Sequence, residues 1–390
     1  MSEPSHPLAP PGLVQPLLGL AVLTGGVVLM EPAPYDLLMC GALVVGPMFL
    51  WPSFRPSLAL PLLLAALLVL ANGISIVLSP DLGRSLGFFG VTAYLLASAA
   101  LVAGWLDRAG TPLLRTLLHA YAVGAGITAT LAVGAYFGVL PGAELMLPKG
   151  RLQGLFKDAN VFGAFMVPAV VLAVARLGDA RRRAPWAVLL LVGGLGVLLS
   201  YSRGAWINLA LSVIAYLGLR LASGRVRPSL ATIVGACVGL MVLGGALVAA
   251  LEHPTVREML EIRASAQGYD DDRFGNQAAA LVVALEHPLG IGPGATEVRF
   301  PISAHSLYVR AFVENGVLGL WATLGLLLLS QARALWVSLQ PGDEANQRML
   351  TVVAAALVGA VVESAVIDTI HWRHLWLLLA LAWAPRLRER

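Results

Sequence analysis

Apolar residues fall in twelve runs along the 390-residue chain, with approximate cores at 13–30, 36–50, 58–78, 86–105, 113–137, 160–176, 186–200, 205–221, 230–251, 306–330, 348–367 and 371–385. A helix perpendicular to a bilayer needs roughly 20 apolar residues, so the shorter runs leave their boundaries soft. Glycine and alanine recur inside the runs, as in Gly193-Gly194-x-Gly196 and from Gly235 to Gly245, and let helices approach closely. No internal repeat or low-complexity linker interrupts them. The pattern predicts an all-α polytopic integral membrane protein of about twelve transmembrane helices, a single membrane domain over 1–390. One large polar loop, 252–305, separates the ninth run from the tenth.

Composition agrees. Hydrophobic residues make up 58% of the chain and charged ones 12%, against about 25% charged in soluble domains. The net charge of +4 reads as orientation rather than nucleic-acid binding. Cys40 and Cys237 both lie in apolar runs and are expected as small buried hydrophobes, not as a disulfide or a metal pair. Residues 1–16 carry no Lys or Arg, so a signal peptide's basic region is missing and the first run is expected as a retained helix.

Basic residues set the expected orientation. With a cytoplasmic N-terminus, 15 of the 26 fall on the cytoplasmic side, with Arg181-Arg182-Arg183 as the strongest anchor. Both termini are then cytoplasmic. Arg151, Lys157, Asp158, Asn160, Arg203, the whole 252–305 loop, Asp368, His371, Arg373 and His374 share the outer face. The cytoplasmic loops are short and basic. Neither a Walker loop nor a glycine fingerprint in a soluble βαβ unit is present, which argues against ATP-driven and nicotinamide chemistry.

In the large loop, Thr255–Ala266 is polar and helix-compatible, and Tyr269-Asp270-Asp271-Asp272-Arg273 reads as a charged turn. Residues Asn276–His287 predict a surface helix of about three turns stopped by Pro288. The turn-rich Gly292-Pro293-Gly294 then leads to Ser303-Ala304-His305-Ser306 and the tenth run, with Ser303 as the expected helix cap.

Several residues here fit chemistry. The macrodipole at a helix N-terminus disfavours imidazolium, so His305 is expected neutral, the state a general base needs; an ordinary loop histidine fits as well. Arg151, in Arg151-Leu-Gln-Gly-Leu-Phe-Lys-Asp-Ala-Asn160, reads either as a phosphate fork beside a helix N-terminus capped by Asp158 or Asn160, or as an interfacial arginine. Arg203 stands in a very short connection, Ser200-Tyr-Ser-Arg203, and needs a partner or an anionic ligand at the membrane edge. Arg273 is open between a phosphate contact and pairing with the aspartates, and Arg299 and Arg310 are weaker candidates of the same kind. A metal site at Asp270–Asp272 is disfavoured, since consecutive positions rarely converge on one ion. Asp368, His371 and Arg373 either line the same cavity or form an interfacial belt with Trp372 and Trp376.

Three segments in order resemble the O-antigen ligase and polymerase superfamily: Arg151–Gly163; Ser202-Arg-Gly-Ala205; and Arg273, Pro288–Gly294, His305-Ser-Leu-Tyr308 and Glu314–Gly319. The resemblance covers roughly residues 145–325. It implies a bacterial inner-membrane glycosyltransferase, in lipopolysaccharide or polysaccharide biosynthesis, with a periplasmic site and no metal or cofactor. The implied donor is an undecaprenyl-diphosphate-linked glycan, and the implied acceptor is lipid A-core or a second glycan. By the same resemblance Arg151, Arg203 and Arg273 hold the diphosphate and His305 activates the acceptor hydroxyl. Tyr308, Asp368, His371 and Arg373 stand as acceptor-site candidates. Many relatives have Asn after the histidine where this chain has Ser306. A lipid-linked sugar transporter or flippase and a protein O-oligosaccharyltransferase are the alternatives. The transporter predicts ionisable residues at mid-membrane depth and discontinuous helices.

Overall fold

The computed structural model describes residues 12–177, 183–224, 254, 257–259, 268–300 and 305–385, with Lys149 and residues 268–274 described by backbone alone. Among these residues the regular structure is all helical. The main helices are α1 (Val14–Leu23), α2 (Pro34–Phe49), α3 (Ala59–Val77), α4 (Leu82–Ala109), α5 (Thr111–Tyr136), α6 (Ala159–Leu177), α7 (Ala184–Leu199) and α8 (Arg203–Ala222). They continue with α9 (Gly268–Glu286), α10 (Leu307–Leu339), α11 (Glu344–Glu363) and α12 (Arg373–Leu381). Among the described residues, seven helices are long and apolar enough to cross a membrane: α3 with its preceding turn, α4, α5, α6, α8, α10 and α11. The segments containing α1, α2 and α7 are apolar but shorter.

The sequence explains several of the helix starts. Asp81 caps α4, accepting from the Arg84 N–H at 3.0 Å. Ser202 caps α8 through the Ala205 N–H at 3.3 Å. Asp343 caps α11 through the Asn346 N–H at 3.0 Å. Each supplies an oxygen to an N–H that has no partner within its own helix. The cap of α10 is Ser306, accepting from the Val309 N–H at 3.4 Å, rather than Ser303, which lies outside the described residues.

Packing follows the small residues. α11 runs along α8, α10 along α3, and α6 along α7. A Cβ on Gly359 would stand 2.0 Å from the Asn208 Oδ1, so α11 meets α8 only because that position is glycine. A Cβ on Gly193 would reach Val170 at 2.9 Å, placing the predicted glycine stripe of α7 against α6. α6 and α11 are the most enclosed spans, while large apolar side chains such as Ile214, Val77 and Trp321 face outward, as a lipid-facing surface requires.

Several expectations change. The run at 371–385 folds as only nine helical residues, Arg373–Leu381. The run at 13–30 gives ten α-helical residues and a 3₁₀ turn, Thr24–Gly26. The ninth run, 230–251, and Cys237 lie outside the described residues. Cys40 is exposed on α2 rather than buried, because α2 turns that face away from its neighbours. The stretch read as a charged turn, Tyr269–Arg273, is helical, and α9 extends from Gly268 to Glu286.

Candidate active site

The connection between α7 and α8 reverses within three residues. Tyr201 makes the turn with φ of 48°, in the left-handed region that β-carbon sterics disfavour. Its side chain is buried and its hydroxyl meets that of Tyr136 at 2.8 Å, which holds the turn. Arg203 thereby becomes the first residue of α8.

The Arg151 loop lies on this turn. Its Nε donates to the Ser200 carbonyl at 3.0 Å and its Nη2 to the Asn160 Oδ1 at 2.7 Å. The Leu152 N–H donates to the Leu199 carbonyl at 2.9 Å. Of the two expected caps of α6, Asp158 accepts from the Asn160 N–H at 2.6 Å, leaving the Asn160 side-chain Oδ1 for the arginine.

On the other side, Arg203 is followed by Gly204, whose ideal Cβ would stand 3.0 Å from the Glu363 Oε1. Glu363 ends α11, is 1% exposed, and accepts from the Asn208 Nδ2 at 2.6 Å. The carbonyl of the next residue, Ser364, accepts from the Leu307 N–H at 2.9 Å. His305 lies two residues before Leu307, and its carbonyl accepts from the Gln277 Nε2 at 3.1 Å. Arg273 is one helical turn before Gln277 on α9. Arg151, Arg203 and His305 are thus tied to one end of the helix bundle through Ser200, Glu363 and Ser364. α9 reaches the same end, with the Arg273 side chain outside the described residues.

The motif between α9 and α10 has a backbone explanation. α10 breaks at Gly316, where φ is 68°. The freed carbonyls of Val313 and Glu314 accept from the Ile291 and Gly292 N–H groups, each at 3.0 Å, and the Val317 N–H donates to the Pro288 carbonyl at 2.9 Å. A Cβ on Gly290 would stand 2.3 Å from the Glu314 carbonyl oxygen. Pro288–Gly294 and Glu314–Gly316 therefore fit together as one unit, and the buried polar backbone of the break is satisfied.

The acceptor-site candidates are engaged in structural contacts. The Tyr308 hydroxyl donates to the Val361 carbonyl at 2.6 Å. Asp368 pairs with the buried Arg310, which also donates to Glu314 at 3.0 Å and lies 4.9 Å over the Phe88 ring. Arg373 forks onto Asp36 through two bonds, at 2.7 and 2.6 Å. The His371 Nε2 is 3.1 Å from the Thr92 hydroxyl, and burial pushes its imidazole down to about 4 against the opposing pull of Asp368. His371 and Arg310 share the lining of a small cavity with Asn72 and Glu314. The belt alternative does not fit, because Trp372 and Trp376 are 8% and 5% exposed, turned into the protein rather than toward headgroups.

Sequence reasoning missed Glu363, Asn208 and Asp36. The signal was there for the two acids, since a carboxylate inside or at the edge of an apolar run needs a partner. Which partner it takes depends on helices far away in sequence.

Residues 186–324 match the family model described as O-antigen ligase. The chain resembles the O-antigen ligase superfamily. The matched segment takes in nearly all of α7, then α8, α9 and the first part of α10, and so includes Arg203, Arg273, His305, Tyr308 and the Pro288–Gly294 unit. Arg151, Glu363, Asp368, His371 and Arg373 fall outside it. No curated protein matches the chain significantly.

Proposed function

We propose that the protein is a membrane glycosyltransferase of the O-antigen ligase type, moving a glycan from an undecaprenyl-diphosphate carrier to an acceptor hydroxyl at the periplasmic face. A cytoplasmic N-terminus and a periplasmic 252–305 loop complete this reading. The observation that carries it is the continuous path of contacts from Arg151 through Ser200, Glu363 and Ser364 to the segment beginning at His305. It joins the segments that carry Arg151, Arg203 and His305 at one end of the helix bundle.

In the reaction, Arg151, Arg203 and Arg273 hold the diphosphate. His305 takes the proton of the acceptor hydroxyl as its oxygen bonds to the anomeric carbon. The bond from that carbon to the diphosphate oxygen breaks, and undecaprenyl diphosphate leaves with the electron pair. Negative charge grows on the leaving phosphate, so guanidinium groups fixed there stabilise the transition state more than the ground state. The base contributes on the order of 10²–10⁴-fold. Offering the purified protein a lipid-diphosphate glycan, with lipid A-core or a second carrier-linked glycan as acceptor, tests the activity and separates ligase from polymerase. Absence of transfer to either acceptor would overturn it.

The break in α10 favours a second reading, a lipid-linked sugar transporter, since discontinuous helices line transport sites. The capping of its carbonyls by the 291–292 backbone weighs against an ion or substrate site at that break. Net movement of a carrier-linked sugar across a proteoliposome without transfer would support the transporter.

A further inference from the structure

The helices that begin or end at the candidate site carry a second charged cluster at their far ends. α6 has Arg176 in its last turn, and α8 has Arg220. α11 has Glu344 and Arg348 at its start. A 19-residue helix separates its two ends by roughly 27 Å, so this cluster is remote from Arg151, Arg203 and His305.

Two arginines share one carboxylate, and a third lies beside them. Arg220 and Arg348 both donate through Nη2 to the same Glu344 Oε1, the latter at 2.9 Å. Arg348 also donates through Nη1 to the Ala175 carbonyl at 3.4 Å, next to Arg176. The Arg176 guanidinium lies 5.3 Å over the Trp186 ring.

Orientation-setting arginines ordinarily extend to water or headgroups. Arg220 and Arg348 instead are only 5% and 8% exposed, drawn into the seam between helices. Among the described residues, the Arg220 Nη1 and Arg176 Nε are buried and have no hydrogen-bond partner. Buried cationic donors left unpaired are costly, and a phosphate-type oxygen is the acceptor a guanidinium matches best. The Glu344 side chain is 46% exposed, so the cluster opens to the aqueous edge.

We propose that Arg176, Arg220 and Arg348 form a binding site for a phosphate-bearing anion at the end of the bundle opposite the candidate active site. The shared chemistry is a phosphate group seated on two or three guanidinium forks, brought by an anionic lipid headgroup or by a free phosphate. The site stands independently of the glycosyltransferase reading.

The test uses the full-length protein in nanodiscs of phosphatidylcholine, of phosphatidylcholine with phosphatidylglycerol, and of phosphatidylcholine with added inorganic phosphate. Thermal midpoint and native mass spectrometry are the readouts. A rise in midpoint with retained phosphatidylglycerol identifies a lipid headgroup; a rise with inorganic phosphate identifies a soluble anion. Arg220→Gln and Arg176→Gln each weaken the effect about tenfold or more. Arg115→Gln is the control. Arg115 is exposed on α5 at the same end, where His119 meets Trp186 edge-on at 5.8 Å. It leaves the effect unchanged. A wild-type protein indifferent to both anions overturns the site. So does an Arg115→Gln loss equal to that of Arg220→Gln, which would mean general attraction. The wild-type comparison needs no variant, and the less buried Arg176 serves if Arg220→Gln fails to fold.

Discussion

Glu363 and Asn208 meet at 2.6 Å in the seam between α11 and α8, both side chains buried, with the carboxylate accepting from the amide. The Asn208 Oδ1 in turn accepts from the Ser212 hydroxyl at 3.0 Å. Glu363→Ala strands a buried amide donor, and the expected loss of folding stability is about 1–3 kcal/mol. Glu363→Gln keeps an acceptor for the amide and is expected to lose less. Thermal unfolding in lipid nanodiscs compares them, and an alanine variant as stable as wild type would show that the bond is incidental. The same seam holds Gly204 against Glu363, and the Ser364 carbonyl holds Leu307. Transfer activity is therefore expected to fall in the alanine variant more than in the glutamine variant.

Gly316 sits with φ of 68°, and a Cβ there would stand 2.3 Å from the Pro288 carbonyl oxygen. Gly316→Ala is expected to cost about 1–2 kcal/mol from the backbone conformation alone, and more from the clash with the docked 288–292 segment. Hydrogen exchange is the sharper readout. Faster exchange at the Ile291, Gly292 and Val317 amides, with α6 and α11 unchanged, is the expected pattern. Equal protection in the variant would mean that the break does not depend on this glycine.

The helical membrane class and most helix positions were legible in the sequence because apolar runs must become helices to satisfy their backbone in lipid. The motif residues Arg151, Arg203 and His305 were legible as polar residues at run boundaries. The short ends were not: 371–385 reads as an apolar span, yet the chain turns at Thr369–Trp372 and only nine residues are helical. Nor were the pairings Glu363–Asn208 and Asp36–Arg373 legible, since they join residues 155 and 337 positions apart. Local periodicity carries no information about which helices become neighbours. Gly359 shows the same limit: its glycine is explained only once α8 lies against it.

His371 gives a pH dependence with a definite sign. Its imidazole is pushed from the usual 6.5 down to about 4 by burial. Between those values the unfolded chain binds the proton more readily than the folded one. Its contribution is therefore flat above pH about 6.5, and stability falls as pH drops from there toward about 4. His371→Asn removes this component. Thermal midpoints of the two proteins across pH 4.5 to 7.5 check it: the wild-type midpoint falls more steeply with acid. Parallel curves would mean that the imidazole remains accessible to protons in the folded state.

The last expectation separates the two ends of the proposed site. If His305 takes the acceptor proton, His305→Ala inserts and folds normally and still retains the lipid-diphosphate donor. It loses transfer by about 10²–10⁴-fold. Ser306, not His305, caps α10, so the helix start survives the substitution. Arg203→Lys keeps the charge but loses the planar fork. If Arg203 grips the diphosphate through two parallel bonds, donor retention falls about tenfold or more, and transfer falls with it. Arg203 is the first residue of α8, after the Ser202 cap and the Tyr201 turn, and the lysine variant is expected to fold. Donor retention measured by native mass spectrometry, beside single-turnover transfer, distinguishes the two variants. A His305→Ala protein that transfers normally removes the base role. An Arg203→Lys protein that binds donor as wild type removes the fork and leaves at most a point charge there.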